Sequence, residues 1–298
     1  MRVWLEQQEI TGLCLQTVID KSADSAGAEA EITLVCAPMD SRLPRLDPAC
    51  GQQVRVTQER ESLFFGRVER VSYDAAALRL TLLCYDPAAL LAKYQGRGPY
   101  EGTPNAIVRE LCRECGLEPG EIWKGDGQPV KLTAACGRSA FRAIRNLYDD
   151  RCVVEFREGK VWVSQKGALQ AVLESCRLVG LTARNTAEEA ITRVVVYSGG
   201  KPVAQAEDEA GAAQLGLRQR CEHLSPLFPD AKTQAKAGLT GVARQARFTL
   251  TGRSPVRCGQ VVRLDKPLMG VYGDYLVTQV TWRCQQGLMT TELGVSSL

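Results

Sequence analysis

The stretch Cys50–Tyr85, CGQQVRVTQERESLFFGRVERVSYDAAALRLTLLCY, decides how the rest of the chain is read. Val54 and Val56 alternate with Gln53, Arg55 and Thr57, the period-two pattern of a strand with one face buried. Polar Glu59-Arg60-Glu61-Ser62 makes a hairpin tip, LFFGRV returns, and Leu78, Leu80, Leu82 and Cys84 place every second side chain of a further strand on one face. Part of this pattern recurs near the C-terminus. CGQQVRV (Cys50–Val56) and CGQVVRL (Cys258–Leu264) are identical at five of seven positions. Each is followed by a tip, a second apolar strand and a V-x-x-V pair, Val68/Val71 in the first copy and Val277/Val280 in the second. Self-similarity of this kind predicts two related β domains in one chain.

At 298 residues the chain is long enough for about two domains, and its 45% apolar and 24% charged composition is that of a globular protein. A formal net charge of +3 argues against a strongly basic nucleic-acid binder, and no sequence-specific nucleic-acid partner is expected. No apolar run approaches the ~18–20 residues that span a bilayer. The N-terminal MRVWLEQQE carries Glu6 and Glu9 where a signal peptide needs an unbroken apolar core, so a cytoplasmic, reducing compartment is expected. The 12 cysteines are then reduced thiols rather than disulfides. Cys36 and Cys84 extend the apolar faces of their strands, where free cysteine packs as a small hydrophobe.

Taken in order, Met1–Leu5, Leu13–Ile19 and Ala30–Cys36 are strand candidates, with a small polar loop at Lys21–Glu29 and prolines at 38, 44 and 48 breaking the connection to Cys50. Asp86-Pro87 is a helix-start signal, and a short helix through Leu90 and Leu91 is expected to close the first β domain, residues 1–98. GRGPYEG (Gly96–Gly102) is a linker: no lysine-serine or lysine-threonine pair follows, as a phosphate loop requires. Thr103-Pro104 opens a helix with Ile107, Val108, Leu111 and Cys115 at helical spacing, ended by Gly116, and Ser139 caps a second with Phe141, Ile144, Leu147 and Tyr148. Cys152–Phe156 and Lys160–Val163 flank Arg157-Glu158-Gly159 as a hairpin, completing an α+β insert over 99–180. In 181–298, Thr192–Tyr197 is a strand turned by Gly199-Gly200-Lys201-Pro202, Glu207-Asp208-Glu209 leads into an alanine-rich stretch, and Asp230 caps a helix running to about Arg244. Strands at Ala246–Thr251, Tyr275–Trp282 and Leu288–Val295 close the chain. The fold class is α+β and β-rich.

Little in the sequence carries chemistry. His223, the only histidine, lies in a polar loop beside Cys221 and Ser225-Pro226, without the nucleophile and orienting partner that a catalytic histidine needs. Cys112-Arg113-Glu114-Cys115 is the only C-x-x-C; a zinc site needs a second pair of ligands, and a redox pair needs a helix N-terminus rather than the last helical turn. The adjacent carboxylates Asp149-Asp150 and Glu188-Glu189 diverge on a strand or helix and make no acid–base couple. Arginines cluster at the first hairpin (Arg55, Arg60, Arg67, Arg70) and near the second (Arg244, Arg247, Arg253, Arg257), a pattern shared by a binding surface and an ordinary solvated one. No catalytic, cofactor-binding or metal-ligating set is expected.

The order of features resembles the XkdQ/YqbQ-type tail proteins: G-x-x-V (Gly51, Val54), L-F-x-G-x-V (Leu63, Phe64, Gly66, Val68), C-Y-D (Cys84, Tyr85, Asp86), T-x-V-x-V (Thr192, Val194, Val196) and a C-terminal G-x-x-V…Y-x-V-x-x-V unit ending in T-x-E-L. These are baseplate hubs of contractile-tailed phages, phage-like bacteriocins (tailocins) and defective prophages. The resemblance implies two tail-tube-like β-barrels flanking the insert, and a homotrimer whose six barrels form a ring between a hexameric tail tube, or its initiator, and a three-fold central spike. Baseplate wedge proteins are further implied neighbours, and the implied location is the tail baseplate of a particle assembled in a bacterial cytoplasm. No membrane partner, cofactor or enzymatic activity is implied. The competing reading is a cytosolic β-rich enzyme or small-molecule-binding protein using Cys112/Cys115 or His223.

Overall fold

The fold is that of a computed structural model, which describes residues 1–36, 46–59, 61–132, 139–173, 177–224, 230–268 and 271–297. Pro38, Pro44, Arg60 and Ser225-Pro226, singled out above, lie outside the described residues.

The first β unit contains β1 (Arg2–Leu5), β2 (Gln8–Glu9), β3 (Cys14–Ser22), β4 (Glu29–Val35), β5 (Gln53–Gln58), β6 (Glu61–Asp74) and β7 (Arg79–Tyr85). The alternation in the organising stretch is realised: Val54, Val56, Leu80, Leu82 and Cys84 are buried on one sheet face. Leu78 is an exception, exposed in the β6–β7 turn with φ of 50°. Its place in the period-two row is lost because the turn rotates it out of the pleat.

Asp86 caps a short 3-10 turn at Pro87–Ala89, which runs into α1 (Leu90–Lys93). The helix expected to close the first β unit instead turns Ala88 and Leu91 into the core of the insert. Within the insert, β8 (Tyr100–Gly102) is followed by α2 (Pro104–Glu114), β9 (Pro119–Ile122), β10 (Val130–Leu132), α3 (Ala140–Leu147), β11 (Cys152–Arg157) and β12 (Lys160–Gln165). The linker at 96–102 thus ends in a strand, β8, which pairs with β10 and buries Tyr100. Ser139 Oγ accepts from Arg142 N at 3.3 Å, capping α3 as its position before the helix predicts. Ile107, Val108 and Leu111 of α2 meet Ala143, Ile144 and Leu147 of α3 over the β9–β12–β11 sheet, a core separate from that of the large sheet.

The chain then gives β13 (Gln170–Ala171), β14 (Leu178–Thr186), β15 (Arg193–Ser198), β16 (Lys201–Glu207), α4 (Glu209–Leu215), β17 (Gln219–His223), α5 (Ala231–Ala237), β18 (Ala243–Thr251), β19 (Val261–Leu268), β20 (Val271–Gln285) and β21 (Leu288–Ser297). β15, β16 and β17 form their own small sheet, with α5 packed on Val194 and Val196. The turn between β15 and β16 is Gly199-Gly200 alone, both at positive φ, while Lys201 and Pro202 already belong to β16. Asp230 does cap a helix, its Oδ1 accepting from Thr233 N at 2.8 Å, but α5 ends at Ala237 rather than near Arg244. Gly238 and Gly241 break the helical run, and β18 has begun by Ala243.

All remaining strands belong to one 13-stranded sheet. Its main path runs β14-β18-β21-β20-β3-β4-β7-β6-β5-β1-β2, with β19 on β20 and β13 on β19. The two β units are therefore joined edge to edge, through antiparallel β20 and β3, from Gln279↔Ser22 to Gln285↔Gln16. A single apolar core, including Ile19, Leu34 and Leu82 of the first unit and Phe248, Val277 and Leu293 of the second, lies along the curled sheet.

Candidate functional site

The two CGQ turns superpose bond by bond. In the first copy Gly51 N donates to Val68 O at 2.8 Å and Val68 N donates to Gln52 O at 2.9 Å. In the second, Gly259 N donates to Val277 O and Val277 N donates to Gln260 O, both at 2.8 Å. Each glutamine side chain folds back on the turn: Gln52 Oε1 accepts from Ala49 N at 2.9 Å and Gln260 Oε1 from Arg257 N at 2.8 Å. Gly51 and Gly259 have φ of 92° and 80°, a region that an L side chain rarely enters, so both turns require glycine.

The likeness extends past the turns. β6 is bulged between Val68 and Arg70 where it pairs with β7, and β20 between Val277 and Gln279 where it pairs with β21. Pairing then equates β4 with β18, placing Ala30, Ile32 and Leu34 in register with Ala246, Phe248 and Leu250. The sequences AEITL (Ala30–Leu34) and ARFTL (Ala246–Leu250) match at three of five positions, a signal that the reading from the CGQ repeat missed. β3 and β14 are equivalent as well, each bulged at the same place, between Cys14 and Gln16 and between Leu178 and Gly180. Five strands in the same order with two bulges in common make a repeated unit.

Where the two units and the insert meet, a cleft of ≈ 750 Å³ is lined by Phe64, Phe65, Phe156, Arg157, Arg253 and Trp282 among others. An Arg253–Glu61 ion pair ties the second unit to the tip of the first. Asp86 sits at the same junction: its carboxylate accepts from Ala28 N at 2.8 Å and Ala88 N at 3.0 Å. Burial lifts its pKa to about 6 against the opposing pull of those N–H groups. The cleft brings aromatic surface and ion pairs together.

The thiols and the histidine are placed apart. Cys112 is fully buried in the insert core, and burial pushes its thiol up to about 12; Cys115, at the C-terminus of α2, is pushed up to about 11 for the same reason. Neither is a ready thiolate at neutral pH. Glu114 between them accepts hydrogen bonds from the hydroxyls of Tyr94 (3.0 Å) and Tyr100 (2.6 Å), a structural clasp. His223 is not in a loop: it is the last residue of β17, opposite Tyr197, and its carbonyl accepts from Gln234 Nε2 at 2.9 Å. The strand QRCEH escaped sequence reading because it is mostly exposed and so shows no apolar alternation. Asp149 and Asp150 both adopt positive φ in the turn after α3, where Asp150 pairs with Arg145, and Glu188 pairs with Arg184. Arg55 lies over the Trp4 ring of neighbouring β1 and Arg67 donates to Gly51 O, so these two arginines brace the strands around them. Among the described residues no group of three or more His, Cys, Asp or Glu is arranged to hold a metal ion, and no helix is long and apolar enough to cross a membrane.

The sequence matches the model of the YQBQ-like family over residues 19–296. The chain belongs to the YQBQ-like family. A search of curated proteins finds no match. This YQBQ-like chain is similar in fold to the prophage MuSo2 43 kDa tail protein from Shewanella oneidensis (15% identity, 99% of this chain and 96% of that one, TM-score 0.74). It is similar to the tail protein from Neisseria meningitidis MC58 (12% identity, 99% and 95%, TM-score 0.70). It is also similar to the E. coli c3393 protein, a component of the type VI secretion system with structural similarity to the T4 bacteriophage tail proteins gp27 and gp5 (10% identity, 99% and 74%, TM-score 0.58). The β-rich architecture expected from the family resemblance is the one observed.

Proposed function

We propose that this YQBQ-like chain is a structural protein of a phage-type tail, and within it the baseplate hub: a homotrimer whose six β units form a ring joining a hexameric tail tube to a three-fold central spike. The observation that carries the reading is the repeated β unit, with matching turns, bulges and strand order, inside one continuous sheet. Three copies of a chain with two such units present six similar surfaces to a six-fold partner while keeping three-fold symmetry for another. Family membership and the fold shared with prophage tail proteins support the tail assignment, and the type VI secretion relative supports a spike partner. In this reading residues 1–98 and 181–298 are the two tube-like units and 99–180 the insert between them, with baseplate wedge proteins as outer neighbours. The role is non-enzymatic, and the protein resides in the tail of a virion or bacteriocin-like particle assembled in the bacterial cytoplasm.

The test is imaging of particles from a host carrying the gene with an affinity tag on this chain. Density for three tagged chains at the tube–spike junction supports the hub; the tag elsewhere on the particle, or free in solution while complete particles form, overturns it.

A further inference from the structure

The internal junction between β20 and β3 has two counterpart edge segments on the same molecule that meet no partner strand among the described residues. The equivalent of β20 is β6, and that of β3 is β14. Beyond Val68 the outer edge of β6 has no further backbone partner among the described residues, and neither does the edge of β14 opposite β18. In the internal junction Trp282 lies opposite Ile19, and both are buried. Their equivalents, Tyr73 and Ala183, are exposed, Tyr73 at 48%. A tyrosine on an open strand edge is the half of a contact whose other half the chain itself carries.

We infer that the β6 edge of one copy pairs antiparallel with the β14 edge of the next copy, in the register of the internal β20–β3 junction. That register sets Tyr73 opposite Ala183, and Ser72 opposite Arg184. Arg184, which pairs with Glu188 of its own chain, is then diagonal to Asp74 on one side and to Arg70 on the other, so the pairing rests on the repeated backbone edges and the Tyr73–Ala183 contact. The occupant is a second copy of this chain because the template for the contact is this chain's own fold, repeated element by element. The contact joins unlike edges, so each copy offers one of each, and copies add head to tail until the ring closes. Three internal and three intermolecular junctions of one kind then make six equivalent seams. This inference rests on the trimeric reading above and names the strands that build it.

The test uses the full chain carrying Cys50→Ser and Cys221→Ser, to remove exposed thiols, with Tyr73→Cys and Ala183→Cys added. Antiparallel neighbours hold their Cβ atoms about 4.5–5.5 Å apart, close enough for mild oxidation to join them. Light scattering of the unoxidised protein reports the oligomer. The expected result is a trimer that oxidation converts to covalent dimer and trimer on a denaturing gel, while a control pair, Tyr73→Cys with Thr186→Cys, stays monomeric on it. A trimer without the link, or equal linking by the control pair, overturns this junction and leaves the ring standing; a monomer at every concentration overturns both. Tyr73→Asp with Ala183→Asp sets like charges across the seam and raises the dissociation constant at least tenfold, while far-ultraviolet circular dichroism shows the chain still folded. Tyr73→Lys with Ala183→Asp restores it. An Asp pair that assembles like the wild type overturns the register.

Discussion

At the turn of the first unit Cys50 is exposed and its Sγ donates to the carbonyl of Glu69, within its own unit. At the turn of the second, Cys258 is buried and its Sγ donates, at 3.2 Å, to the carbonyl of Lys21, across the junction in the first unit. The two turns share their backbone hydrogen bonds and their glycine, so the local sequence builds the same object twice. What differs is what packs on it. A Cβ on Gly51 meets nothing within 4 Å, whereas one on Gly259 meets Val153 Cγ2 of the insert at 2.6 Å. The turn of the second unit is enclosed by the first unit and the insert, whereas no described residue packs on the turn glycine of the first. Two copies with one backbone plan thus sit in different surroundings.

The largest effect that sharpens this comparison comes from Val262→Asp. Val262 and its equivalent Val54 are both fully buried, so an unpaired carboxylate at either costs about 3–5 kcal/mol. Urea unfolding of Val54→Asp and Val262→Asp is expected to show comparable losses; a wild-type midpoint for either removes its strand from the repeat. Gly259→Ala comes next. Both glycine replacements incur about 1–2 kcal/mol of backbone strain, and the clash with Val153 adds about 1–3 kcal/mol at 259 only. Equal losses at 51 and 259 would contradict the difference in enclosure.

Asp86→Ala removes a helix cap and leaves the buried Ala28 N–H without its acceptor, for a loss of about 2 kcal/mol in chemical unfolding. The same residue gives a pH signature. Its folded pKa of about 6 lies above the ordinary value of 3.8, so between these the folded chain holds a proton that the unfolded chain has lost. The contribution is fully present below pH 3.8, falls as pH rises through about 6 and is level above it. The stability difference between wild type and Asp86→Asn is expected to change across that window; a flat difference contradicts it. The smallest effect is chemical. In the Cys221→Ser background, a thiol reagent modifies exposed Cys50 in the folded protein and reaches Cys258 only on unfolding, as peptide mapping would show. Early labelling of Cys258 would open the enclosed turn.

Much of this was legible in the chain. The glycines of the CGQ repeat, Val68 and Val277 of the V-x-x-V pairs and Asp86 of the C-Y-D that ends the last strand of the first unit are residues whose types the structure requires. The equivalence of β3 and β14 was not, because CLQTVIDKS and LVGLTARNT share almost nothing. Among the described residues β3 is paired on both edges and β14 on one, so the two face different neighbours and keep only the bulge in common. The strand ending at His223 was hidden for a related reason: an exposed strand held by backbone pairing to β15 needs no apolar alternation. The same physics hides the candidate site. Strand edges bind through N–H and C=O groups that almost every residue carries, so neither composition nor spacing marks them.

The most direct test of the central claim is the mass and shape of the purified chain in solution, by native mass spectrometry followed by electron microscopy of the same sample. A trimer seen end-on as a ring of six similar lobes is the predicted result. A monomer, or a two-fold dimer with no six-lobed view, would contradict it.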